Sequence, residues 1–251
     1  MIDAHCHLEQ KDYINDLDKV IDTCKKEGLK AVVTVCTETK DWDRALEIVK
    51  QYKNYVFLCG AIHPEFIKEI SSKHIDEFFD RLKENKKNLV AIGETGLDYF
   101  WVRELEWQEK QKELFIQHIE LSKELKLPLV IHTRDAAEDV LRILEQENAK
   151  KVLLHLWGNR EMMPRVIENK YSITIGPIIA RSKKHKKIVR DTPLENILLE
   201  TDSPWFGNGS RGLPINIKVP CEKIAEVKKL TFEEVWNKAG NNTIKFFNLI
   251  L

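Results

Sequence analysis

Short runs of apolar and β-branched residues recur along the chain, separated by stretches with apolar residues at three- and four-residue spacing and charges in the gaps. The runs are Ile2 to Cys6, Ala31 to Cys36, Val56 to Ala61, Leu89 to Ile92, Leu129 to His132, Val152 to His155, Ser172 to Ile175 and Ile197 to Leu199. They are near-continuous rather than alternating, which is the pattern of parallel strands covered on both faces by helices. Between them, Asp16 to Lys26, Trp42 to Gln51, His74 to Leu82, Glu104 to Leu125 and Ala136 to Glu145 have helical spacing. Strict alternation of eight such strands with crossovers predicts an α/β fold of the (β/α)8 TIM-barrel type. A doubly wound open sheet normally needs fewer units and often a glycine-rich phosphate loop, and none follows the first run. After a glycine- and proline-rich loop from Ser203 to Pro220, helical patterns from Cys221 to Lys229 and from Phe232 onward predict C-terminal helices that cap or flank the barrel. No fixed-period repeat and no linker divides residues 1–251, so a single barrel domain is expected.

In a parallel barrel the active site lies at the C-terminal strand ends, so polar residues there carry the functional information. His5 and His7 end the first run, His63 follows the third, Glu94 the fourth, His132 and His155 end the fifth and sixth, and Asp202 follows the eighth. Side chains two apart share a strand face, so His5 and His7 are expected to point into the mouth together while Cys6 faces the helices. Imidazoles and carboxylates in this array are the donors divalent transition metals select. Such an ion lowers the pKa of water from about 15.7 towards 7, so the predicted chemistry is hydrolysis by metal-activated water. A lone H-x-H is weak evidence, but five of the eight histidines fall at predicted strand ends, whereas His74, His118 and His185 lie in helical stretches and read as surface or packing residues.

His63 precedes Pro64 and reads as a substrate contact or a turn-shaping residue. Glu200 sits one layer below Asp202 and is expected to hydrogen-bond rather than ligate. Asp98, in the loop expected past Gly96, is open between the same two roles. Arg134, two beyond His132, has the forked donor geometry suited to phosphate, with a salt bridge as the alternative.

Composition narrows the partners. Forty basic and forty acidic residues cancel, so no global field draws the chain to nucleic acid or membrane, and a polyanion must be met by a local patch. The one dense basic run, Arg181 to Arg190, follows the seventh strand. Arg181, Lys183 and Lys184 are the members nearest the rim, and Lys186 and Lys187 read as solvated surface. Five cysteines form no C-x-x-C pair and read as reduced, mostly buried thiols. With no leader-like start and no long apolar stretch, a cytoplasmic protein with no membrane partner is expected, and no protein partner is inferable.

The motifs D-A-H-C-H-L at residues 3 to 8, G-E-T-G-L-D-Y at 93 to 99, I-H-T-R-D-A at 131 to 136 and L-E-T-D-S-P at 199 to 204 resemble those of the TatD-type metal-dependent DNases, within the amidohydrolase-like superfamily. Weaker matches, Gln111 to Phe115, the K-L-P before the fifth strand and Asn242 to Phe247, extend the resemblance over the whole chain. It implies two divalent ions, zinc, manganese, magnesium, iron or cobalt, with Glu94 bridging them. His5, His7 and Asp202 would hold one ion and His132 and His155 the other, with Asp202 as general base. The sequence Leu154-His155-Leu156-Trp157-Gly158 departs from the family's usual Phe-His-Cys-Phe-Ser-Gly, and Trp205-Phe206 follows Asp202-Ser203-Pro204. Both changes fall at the mouth, so metal binding transfers further than substrate preference.

The expected activity is cleavage of DNA phosphodiesters, in single strands or at strand ends, with Trp157, Trp205 and Phe206 as stacking platforms. A related barrel hydrolase acting on an amide, lactone or aminoacyl ester is the first alternative, since fold alone does not choose. A non-catalytic nucleic-acid-binding protein is the second; it fits poorly with a complete ligand set and zero net charge.

Overall fold

A computed structural model of the chain describes residues 1–207 and 209–251. Eight parallel strands form one sheet in sequence order: β1 (Ile2–Cys6), β2 (Ala31–Cys36), β3 (Val56–Gly60), β4 (Leu89–Asp98), β5 (Leu129–Arg134), β6 (Val152–Leu154), β7 (Ser172–Ile175) and β8 (Ile197–Leu199). The sheet curls until β8 meets β1, where Asp202 N–H donates to His5 O at 2.9 Å and His7 N–H to Ser203 O at 2.8 Å. The result is the (β/α)8 barrel expected from the alternation.

The crossovers carry α1 (Leu17–Lys26), α2 (Trp42–Gln51), α3 (Ser72–Glu84), α4 (Leu105–Leu125), α5 (Ala137–Gln146), α6 (Met163–Glu168) and α7 (Lys183–Asp191), and α8 (Lys218–Lys228) and α9 (Phe232–Phe247) follow β8. Local chemistry sets several boundaries. Ser71 Oγ accepts from His74 N–H, so α3 begins two residues before the expected His74. Thr231 and Glu234 form a reciprocal capping box that starts α9. Six-residue α6, opened by Pro164, is too short to register as a periodic pattern.

Ile2, Ala4, Val33, Cys59, Ala91, Val130, Leu153 and Leu198 fill the barrel's interior, and Phe246, Phe247 and Leu249 join them. α9 thus plugs the end opposite the mouth, with its Gly240 against the backbone of Met1. All five cysteines are free and buried. Among the described residues no helix is long and apolar enough to cross a membrane.

Two strands depart from regular register, and both carry site residues. From Asp3 to Cys6, three steps along β1 match two along β2, a bulge of one residue. Asp3 therefore does not share a face with His5, as regular alternation would require. It turns to Thr201, whose hydroxyl donates to it at 2.6 Å. Cys6 faces outward as expected, with its thiol donating to Val33 O. In β4, Ile92 to Thr95 likewise spans two residues of β5. The strand continues to Asp98, which corrects the expectation of a loop there. Gly93 and Gly96 permit the close approach: a methyl on Gly93 would lie 2.5 Å from Val130 Cβ, and one on Gly96 2.1 Å from His132 O.

Candidate metal centre

The bulge in β4 presents Glu94 at the centre of the mouth, and the histidines surround it. His5 Nε2 lies 3.2 Å from Glu94 Oε2, His132 Nδ1 2.7 Å from Glu94 Oε1, and His155 Nε2 and His63 Nε2 each 3.7 Å from Oε1. Asp202, just beyond β8, puts Oδ1 3.2 Å from His7 Nε2, 3.8 Å from His5 Nε2 and 3.9 Å from His155 Nε2. Potential ligand atoms cluster as His5, His7 and Glu94; His5, His155 and Asp202; and His63, Glu94 and His132.

Protein groups behind the rings fix which nitrogen faces inward. His7 Nδ1 donates to Val35 O at 2.7 Å and His155 Nδ1 to Glu200 Oε2 at 2.8 Å, leaving each Nε2 towards the centre. Glu200 also accepts from Leu156 N–H at 2.9 Å, so this fully buried carboxylate serves as the hydrogen-bonding group its depth implied. Asp98 Oδ2 lies 2.9 Å from His132 Nε2, and its Oδ1 accepts from Trp101 N–H. The inner nitrogens of His5 and His7 are only 3.1 Å apart, with a carboxylate oxygen at 3.2 Å from each. Electron pairs aimed at one another at that separation repel unless a proton or cation lies among them, so the donor set fits a divalent ion.

The charges within the mouth follow from these pairs. At His132 burial opposes charge, but Asp98 and Glu94 outweigh it and raise the ring to about 9. At His155 burial is outweighed by Glu200, Glu94 and Asp202, which take it to about 10. His7 is also raised, against burial, by Asp202 and Glu9. His5 and His63 are lowered, by burial first and then by the neighbouring His155 and His132 respectively. Burial works against ionising Glu94 and Asp202, yet the facing imidazoles hold both below the usual carboxylate range. Before any ion binds, the centre therefore pairs carboxylates with imidazolium protons.

The mouth is a cavity of about 490 Å³ that includes His7, His63, Glu94, His132, His155, Asp202, Arg134 and Trp205 in its wall. Arg134 stacks its guanidinium 3.8 Å over the Phe100 ring rather than forming the salt bridge held open as an alternative. The other expected substrate contacts divide. Trp157 is corrected: it is only 1% exposed, packs in the apolar core, and borders the neighbouring cavity rather than the mouth, so it is no stacking platform at the rim. Arg181 and Phe206 line a separate cavity, and Lys183 points to solvent at the start of α7. Lys184 lines the cavity next to the mouth. Trp101, overlooked in the sequence, lines the mouth and is 56% exposed, against 49% for Trp205. Its signal was an aromatic pair, Phe100-Trp101, directly after the Glu94 motif. His118 is a packing residue as expected, buried between Ile62 N–H and Leu114 O.

Residues 2–248 match the family model described as TatD related DNase. The chain belongs to the TatD family. Among its TatD relatives, human deoxyribonuclease TATDN3 (Homo sapiens) is 33% identical over 98% of this chain and 94% of its own length. The uncharacterized metal-dependent hydrolase YabD of Bacillus subtilis is 33% identical over 99% of both chains. The crystal structure of the TatD homolog YJJV from Escherichia coli K12 superposes with a TM-score of 0.91, covering 100% of this chain and 98% of that one at 23% identity, a likeness of fold. The TatD membership and the metal-dependent hydrolase class expected from the strand ends thus hold.

Proposed function

We propose that the protein is a two-ion phosphodiesterase that cleaves DNA, in single strands or at strand ends. The observation that carries the reading is Glu94, whose two oxygens face different histidines, Oε2 towards His5 and Oε1 towards His132. His5, His7 and Asp202 would hold one ion, His132 and His155 the other, and Glu94 both. Zinc, manganese, iron and cobalt suit this donor set, and magnesium binds such a set less tightly. When bound, paired ions activate water and stabilise the charge on the attacking and leaving oxygens of an in-line displacement.

The protein's own residues supply the rest. Asp202, ionised and at the edge of the mouth, accepts the proton of the attacking water. Arg134, anchored on Phe100 beside the centre, offers a forked donor to a phosphate oxygen. His63, with Nε2 3.7 Å from Glu94, contacts the reacting phosphate or adds a donor to the His132 side. Exposed Trp101 and Trp205 line the mouth as stacking surfaces for unpaired bases, which favours single strands. The DNase name of the human relative supports the same substrate class.

The test compares metal-supplemented hydrolysis of a single-stranded oligonucleotide, its duplex, a chromogenic phosphodiester and a matched carboxyl ester. Cleavage of both phosphodiesters, faster on single strands, is expected. Turnover of the carboxyl ester alone would overturn the reading in favour of carbon-centre chemistry.

A further inference from the structure

Beside the metal mouth lies a second cavity, of about 870 Å³, walled by the segments after β5 and β6 and by the first turn of α7. Arg134 lines both cavities and so stands between them. Across Gly158 two nitrogen groups converge: a methyl placed on that glycine would lie 3.5 Å from His185 Nε2 and 3.6 Å from Lys184 Nζ. Glycine here leaves the approach to both nitrogens open.

His185 is 6% exposed, and its Nε2 makes no hydrogen bond among the described residues. Its Nδ1 lies 2.7 Å from Ser182 Oγ, which already accepts from the His185 backbone N–H. In the tautomer in which the serine hydroxyl donates to Nδ1, the ring proton sits on Nε2, facing the cavity. Burial and adjacent Lys184 lower this ring to about 4, so at neutral pH it is an uncharged donor. Lys184 forms no ion pair among the described residues. Of the charged groups in the wall, Arg160 is tied to Asp191 at 2.9 Å and Glu138 to Arg165 at 2.7 Å. Among the described residues Asp135 and Glu161, in the same wall, form no ion pair or hydrogen bond with Lys184 or His185.

We propose that Lys184 and His185, over the space left by Gly158, form a subsite for the phosphodiester adjacent to the one cleaved, with Arg134 at the passage between them. An ammonium and a neutral N–H donor at the amino end of a nine-residue helix match an anionic, multi-acceptor group. The proposal rests on the nuclease reading above. It narrows the basic run to one lysine and adds a histidine that the sequence presents as packing.

The test uses a single-stranded octanucleotide in which one phosphodiester at a time is replaced by a neutral methylphosphonate. In the wild type, neutralising the linkage next to the cleaved one is expected to lower kcat/KM about tenfold or more, chiefly through KM. That penalty is expected to vanish in Lys184→Met, His185→Phe and Gly158→Ala. The last variant crowds the space with a methyl at ordinary van der Waals distances and changes neither donor. A second readout uses isotope-labelled histidine in the zinc-loaded protein. Inorganic phosphate is expected to shift the His185 ring signals, identified by their loss in His185→Phe, and Gly158→Ala to abolish the shift. A penalty that persists in all three variants overturns the subsite, as does cleavage of strands with no neutral-linkage effect and no phosphate response at His185. If no strand is cleaved but phosphate still moves His185 in a Gly158-dependent way, the nuclease reading falls and the anion site stands.

Discussion

Raising the pH is expected to tighten metal binding steeply, because protons and metal ions compete for the same nitrogens. His132 and His155, raised to about 9 and about 10 by the carboxylates around them, are protonated at pH 7, while Glu94 and Asp202 are ionised. Filling the centre must displace one proton from each ring, and each adds about tenfold in affinity per pH unit, or roughly 1.4 kcal/mol. The overall association constant is therefore expected to rise about a hundredfold per unit between pH 7 and 9, where two protons leave together. It should rise more gently once His132 has lost its proton above about 9, and His7, also raised by Asp202 and Glu9, adds its own proton to those displaced. Stability of the metal-free protein runs the other way. Rings raised above their unfolded value stabilise fully below about 6.5, and that contribution is lost as pH rises through 9 and 10. Competition with a chelating indicator from pH 6.5 to 8.5, with proton release recorded in weak buffer, measures the first effect. A flat affinity profile with no proton release would refute the charge assignment.

Glu94→Ala is expected to remove more activity and more bound metal than His63→Ala, since Glu94 faces His5 and His132 together; metal content and turnover measured side by side decide, and equal losses with full metal retention would end the bridging role. Asp202→Asn keeps the shape but loses charge and basicity, so kcat should fall by about 10³, roughly 4 kcal/mol, on oligonucleotide and small phosphodiester alike; a loss confined to KM would contradict it. Trp101→Ala and Trp205→Ala should raise KM for single strands by about tenfold, the value of roughly 1–3 kcal/mol per stacked base, and leave the chromogenic diester near wild type. An unchanged KM for strands in both would remove the stacking role.

The strand runs were legible because both faces of a barrel strand are buried and the code there is simple hydrophobicity. The site residues stood out for the opposite reason: His5, His132 and His155 interrupt apolar runs where burial of a polar group needs a partner. What stayed hidden is set by contacts between distant segments. Asp3 leaves the face of His5 because β1 bulges against β2, and β4 runs on to Asp98 because Gly93 and Gly96 let it press against β5. Glycine and polar residues at a strand end look like a loop until that neighbour is known. Trp157 follows a strand-end histidine and so reads as a rim residue, yet the chain turns it into the core. Conversely, His185 has helical spacing in sequence, and only the approach of Gly158 from a distant segment reveals its open nitrogen.

The most direct test of the central claim strips the protein of metal with a chelator, checks that it stays folded, and titrates a divalent ion back while following cleavage of a single-stranded oligonucleotide. Phosphodiester cleavage should be absent from the folded, stripped protein and should return in proportion to metal bound, reaching its plateau at two ions per chain. Full cleavage in excess chelator, or a plateau at one ion with Glu94→Ala unimpaired, would contradict the two-ion phosphodiesterase.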